Sequence, residues 1–187
     1  MNKYERGDAM KILCCSILFC SLLTAGDVGE IRDYYNEIKE SLDNDEYGIY
    51  RTEVVINSEY LPYPALGNYQ ERIDFYWRSE AGYSRLILVT WSAEYAAHNE
   101  YGEVLYKVDQ VYEGDEEEVV FQFVSYDNYD EYGTEIRWWF DGGMVIESKG
   151  RTITPDGVVE FVPGPEEETT FGHDHEELLE MFYSIHV

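Results

Sequence analysis

Cysteine is scarce: the chain has three, and Cys14, Cys15 and Cys20 all fall in one apolar stretch near the start. The rest of the chain has none, which excludes a disulfide framework, a thiolate metal site and a cysteine nucleophile there. Basic residues are also few. Thirteen Lys and Arg stand against 39 Asp and Glu, a formal charge of −26 over 187 residues. Such a chain repels nucleic-acid phosphates and anionic head groups, so neither is an expected general partner. No apolar run is long enough for a membrane span, which needs about 20 residues. The recognised catalytic signatures are missing as well. No G-x-S-x-G elbow occurs, no Ser stands in a recognisable setting with His98 or His186, and the 15 glycines are scattered or sit in turns rather than in a phosphate-binding loop.

Aromatic residues, by contrast, are plentiful. They make up 16% of the chain and include 18 tyrosines, a composition that separates it from disordered acidic tails. Residues 11–25, KILCCSILFCSLLTA, pair one Lys with a short apolar run that ends in Thr24, Ala25 and Gly26. This is the pattern of a secretory signal peptide, with cleavage acceptable after Ala25 or Gly26. Lys3 and Arg6 are offset by Glu5 and Asp8, so a start at Met10 leaves a cleaner signal. Lipidation at Cys20 competes with simple removal, but Phe19 stands where a small residue is needed. The expectation is therefore a leader over 1–25 and one acidic domain over 26–187, periplasmic or secreted. Cleavage after Ala25 removes three basic and two acidic residues and leaves a charge of −27.

Over 27–42 the residues Ile31, Tyr34/Tyr35, Ile38 and Leu42 recur at helical spacing and predict a first helix. From Tyr50 onward the period is two. Strands are expected around 52–56, 73–78, 85–91, 104–108, 119–126, 136–140, 144–146 and 158–162. Asp141-Gly142-Gly143 is the strongest hairpin signal, and 94–100, open between a short helical turn and a continued strand, is read as a loop or edge. Val120/Val124 and Phe121/Phe123 put apolar groups on both faces of their strand, as in a sheet covered on both sides. Asp174 with Glu177 reads as a capping box for a last helix carrying Leu178, Met181/Phe182 and Ile185. The fold class is α+β: a mostly antiparallel, curved meander of about seven or eight strands flanked by N-terminal and C-terminal helices.

Candidate chemistry is weighed against plainer roles. Among so many acids, some carboxyl pair meets the spacing of a glycoside hydrolase by chance, and nothing marks one pair. The spacing of His173-Asp174-His175 does not suit a helical metal site, and a helix cap with exposed imidazoles explains it better. Residues 43–48 open like a calcium loop, but the closing position holds Val54, so they read as a helix stop. No catalytic residue, metal site or cofactor is assigned. Trp138 travels with Ile136 and Phe140 and is core. Trp139 is forced to the opposite face, with Arg137 beside it and Tyr76 and Arg78 of similar character. Either a helix covers that face, or Trp139, Arg137, Tyr76 and Arg78 form a partly exposed recognition surface.

The stretches Tyr101-Gly-Glu-Val-Leu-Tyr106, Val119-Val-Phe-Gln-Phe-Val124 and Glu135-Ile-Arg-Trp-Trp-Phe140, then Asp-Gly-Gly-Met-Val-Ile146, resemble a pattern in secreted proteins of Gram-negative bacteria. The likeness covers roughly 95–147 and departs at the longer acidic insert 113–118. It implies an exported β-meander domain and carries no catalytic residue across. The functional expectation is an exported, non-enzymatic binding protein whose acidic surface suits a basic protein partner, as in an inhibitor or immunity protein. A carbohydrate-active or carbohydrate-binding domain and a structural envelope component are the alternatives.

Overall fold

The structure is a computed structural model that describes residues 27–44, 48–64, 67–80, 82–107, 117–128, 132–164 and 173–186. The segment expected to be a leader, with its cysteines, most of the 113–118 insert and residues 45–47 of the calcium-like loop lie outside the described residues. Helix α1 spans Val28–Asp43, with Asp27 as N-cap accepting from the Gly29 amide at 2.8 Å. Nine strands follow. They are β1 Ile49–Ile56, β2 Pro62–Tyr63, β3 Gly67–Glu80, β4 Tyr83–Tyr95, β5 His98–Lys107, β6 Glu118–Asn128, β7 Tyr132–Asp141, β8 Met144–Thr154 and β9 Gly157–Phe161. Helix α2, His175–Ile185, closes the order. The sheet is an open antiparallel meander, β1-β3-β4-β5-β6-β7-β8-β9, with the two-residue β2 paired to β3.

Alternation along each strand feeds two apolar layers. One gathers Ile73, Phe75, Trp91, Val104, Tyr106, Ile136, Trp138 and Phe140 under Leu178 and Phe182 of α2. The other gathers Ile87, Leu88, Leu105, Phe121 and Trp139 under Ile38 of α1. Both helices run across the strands. Helix α1 goes from Arg32 beside Glu147 of β8, past Tyr35 on Glu103 of β5, to Leu42 and Asp43 near Ile49 of β1. Helix α2 goes from His175 beside Phe140 of β7 to His186, which shares a hydrogen bond with Thr52 of β1.

The hairpin at Gly142-Gly143 forms as expected, both glycines taking positive φ, 56° and 73°, which the tight turn requires. The stretch 94–100 is neither loop nor edge. Its two flanks belong to β4 and β5, which pair as far as Glu94 with Asn99 around a short bend. One face assignment also changes. A bulge opposite Leu105/Tyr106 leaves Val120 as the extra residue, and it joins Phe121 under α1 rather than Val124 under α2.

Candidate binding site

The four residues singled out from sequence do not form one site. Tyr76, Leu88, Leu105, Phe121 and Trp139 lie in one cross-strand row, so Tyr76 and Trp139 do share a face. Four strand spacings of about 4.8 Å separate them by roughly 19 Å. Arg78 lies beyond a bulge at Tyr76/Trp77, paired with Ile49 and Arg85, away from Arg137. Helix α1 lies over the row, and Trp139 is only 3% exposed. The open aromatic platform is therefore absent at Trp139, because α1 needs an apolar seat and this row supplies it.

A groove remains along one flank of α1, with a volume of about 420 Å³ and walls of Ile31, Arg32, Tyr35, Asn36, Phe121, Arg137, Trp139 and Lys149. The Arg32 guanidinium sits 5.0 Å from the Trp139 ring centre and the Lys149 ammonium 5.7 Å. Arg137 lies over Phe123 at 4.7 Å and donates to Glu135 at 3.0 Å. The register creates this patch: Phe123, Arg137 and Lys149 are cross-strand neighbours, and so are Ser125, Glu135, Arg151 and Glu160 one step along. Arg151 closes on Glu135 with two bonds of 2.7 Å, and together with the Arg137 bond these hold the Glu135 carboxyl below its usual range.

Under the sheet's two covers, acids are held rather than free. Glu71, Glu103 and Glu117 are 4%, 4% and 7% exposed, and each accepts from at least one tyrosine and faces one cationic group. Glu71 accepts from Tyr69 and is paired with His173. Glu103 accepts from Tyr35 and Tyr101 and from Lys39 at 3.2 Å. Glu117 accepts from Tyr183 and faces Arg85 at 3.7 Å. Burial alone would raise the Glu71 carboxyl, but the bonds from His173 and Tyr69 outweigh it and the net shift is down. Burial would lower the His173 imidazole, yet the Glu71 carboxylate turns that shift upward. Tyr69, Tyr101, Tyr35 and Tyr183 are all raised, by burial first and then by the carboxylate each one serves. Tyr95, stacked on Tyr69 at 5.0 Å, is pushed up to about 12 by burial and by the nearby Glu100 and Glu71.

These carboxylates were missed from sequence, though a signal was present. Tyr69-Gln70-Glu71 and Tyr101-Gly102-Glu103 are both Y-x-E on a strand, a spacing that puts hydroxyl and carboxylate on one face. The expectation for His173-Asp174-His175 needs correction in part. Asp174 does cap α2, accepting from Glu176 at 2.7 Å. The imidazoles are not simply exposed: His173 is half-buried against Glu71 and Trp91, and His175 is also half-buried, beside Phe140. Among the described residues, no group of three or more His, Cys, Asp or Glu could hold a metal ion, and no helix is long and apolar enough to cross a membrane. No protein-family model, curated protein or solved structure matches the chain.

Proposed function

We propose that this is an exported, non-enzymatic binding protein that holds a basic protein partner on the outer surface of α1. The observation that carries this reading is the helix's own charge pattern. Glu30, Asp33, Glu37, Glu40 and Asp43 are all exposed and follow one another at steps of three and four residues. They form one acidic stripe. The two cations of α1 do not neutralise it, because Arg32 turns to Glu147 and Lys39 to Glu103. The last turn holds Glu40 and Asp43 and no basic residue, although a helix C-terminus favours cations. Like charges at this spacing cost about 0.2–0.5 kcal/mol per pair, so the stripe opposes helix stability. A cationic partner reverses that sign, speeds encounter and rejects acidic competitors.

A non-enzymatic reading fits the acids of the interior. A glycoside hydrolase needs one carboxyl with a raised pKa, whereas Glu71 and Glu135 are both shifted down. The test is capture from cell-envelope extract on the immobilised full chain, at low and at high salt. Basic proteins should be retained at low salt and released at high salt. Retention that ignores salt, or that draws acidic and basic proteins alike, would sink the reading.

A further inference from the structure

The groove beside Trp139 has a charge opposite to that of the molecule around it. The chain carries three acids for every base, yet the charged residues lining this groove are Arg32, Arg137 and Lys149, with no carboxylate among them. Three other grooves on the molecule each include at least one acid: Asp43, then Glu117 with three further glutamates, and Glu160. The remaining wall is formed by Ile31, Tyr35, Phe121 and Trp139, with Asn36 as its one amide. A volume of about 420 Å³ falls within the roughly 300–1,000 Å³ usual for small-molecule sites.

We propose that this groove binds a small organic anion, an apolar or aromatic body carrying one carboxylate. Three features converge on that chemistry. The cations are held at the rim by Glu147 and Glu135 through few bonds. One oxygen of Glu147 lies 2.6 Å from the Lys149 ammonium as an ion pair and accepts from Arg32 at 3.5 Å, and Arg137 gives one bond to Glu135. A guanidinium has five donors and an ammonium three, so donors remain for a second carboxylate. The rings lie beside the charges, which suits a ligand with an apolar body next to its anionic end. The indole N–H of Trp139, a groove-lining residue, is buried without a hydrogen-bond partner, and a ligand oxygen would satisfy it once the ring shifts. Trp91 and Trp138 share that state, but neither lines this groove.

Glu147 is then the resident competitor for the ligand carboxylate, and that gives the test its sign. The full chain is titrated calorimetrically with 3-phenylpropionate and with 3-phenylpropanamide, which has the same body without the charge. The acid should bind, and the amide should bind at least about tenfold more weakly, the worth of one charge-assisted hydrogen bond. Arg32→Met and Lys149→Met should each weaken the acid by about tenfold. Glu147→Gln should strengthen it several-fold and leave every groove-lining side chain in place, so it keeps the test decisive if a cation variant unfolds. The Trp139 indole proton resonance, assigned with Trp139→Phe, should move on titration. Equal binding of acid and amide, no binding of either, or an affinity that Glu147→Gln leaves unchanged would overturn the proposal.

Discussion

The two faces of the sheet are built from the same alternating strands, yet they solve burial differently. Under α2 the layer is aromatic and interlocked. Phe182 packs on Phe75 and Trp77, Trp91 lies directly on Gly102, and Phe161 lies on Gly150. Under α1, Ile38 is the one deeply buried apolar anchor of the helix. Much of that contact is instead tyrosine, cation and carboxylate: Tyr35 on Phe121 and Glu103, Lys39 on Glu103, and Arg32 on Trp139. The comparison teaches that α2 seals while α1 presents. A helix with one fully buried apolar anchor and several polar contacts leaves a groove along its flank and directs its acids outward.

Substitutions at the two anchors give the sharpest contrast. Phe182→Ala removes a side chain that is 0% exposed and should cost about 3–5 kcal/mol in denaturant unfolding, through lost transfer energy plus a cavity. Ile38→Ala should fall toward the lower end of about 2–5 kcal/mol, because Tyr34, Tyr35 and Leu42 of its own helix are partly exposed and can close on the gap. Equal losses would break the distinction. Next in size is Gly102→Ala. The new Cβ would meet the Trp91 ring at 2.0 Å, so the indole must move, and overpacking of this sort costs about 1–3 kcal/mol. Its measure is the shift in unfolding midpoint, accompanied by a change in near-ultraviolet circular dichroism from the displaced indole.

A smaller effect separates the faces by pH. Glu71 pairs with His173 on the α2 side, where the carboxyl is lowered and the imidazole raised. The Glu71 contribution is present above the unfolded carboxyl pKa of about 4.3 and is lost as pH falls through the lower folded value. The His173 contribution is complete below about pH 6.5 and is lost as pH rises through the higher folded value. Stability should therefore peak between those limbs, and Glu71→Gln should flatten both. Lys39 pairs with Glu103 under α1 and touches neither Glu71 nor His173, so Lys39→Met should leave the neutral-to-alkaline limb in place. Chemical denaturation at a series of pH values reads both variants.

Much of this architecture was legible in the sequence because local chemistry and burial agree there. The span of α1 follows from its three-and-four spacing, the turn at Gly142-Gly143 from its need for positive φ, and the start of α2 from the Asp174 cap. The opposed fates of Trp138 and Trp139 follow from alternation alone. What failed depends on partners distant in the chain. The bulge at Val120 arises from pairing with β5, and its neighbours do not announce it. Choosing between a helix-covered and an open Trp139, both of which the sequence allowed, required knowing where α1 comes to rest. Tyr76 and Arg78 resembled Arg137 in character, but strand order sets them far from it. The tyrosines looked like surface for recognition, and several are instead donors that make buried glutamates tolerable, a role that costs less than an unpaired charge.

The central claim is that binding belongs to the α1 side. Two neutralised variants of the full chain test it directly. One carries Glu30→Gln, Asp33→Asn, Glu37→Gln and Glu40→Gln on α1, and the other carries Glu176→Gln, Glu177→Gln and Glu180→Gln on α2. Both should fold with little net change in stability, since relief of exposed like charges offsets the loss of first-turn acids Glu30, Glu176 and Glu177. In low-salt capture of basic proteins from envelope extract, the α1 variant should lose the retained partner and the α2 variant should keep it. Equal loss in both would reduce the effect to bulk charge, and retention by the α1 variant would contradict the account.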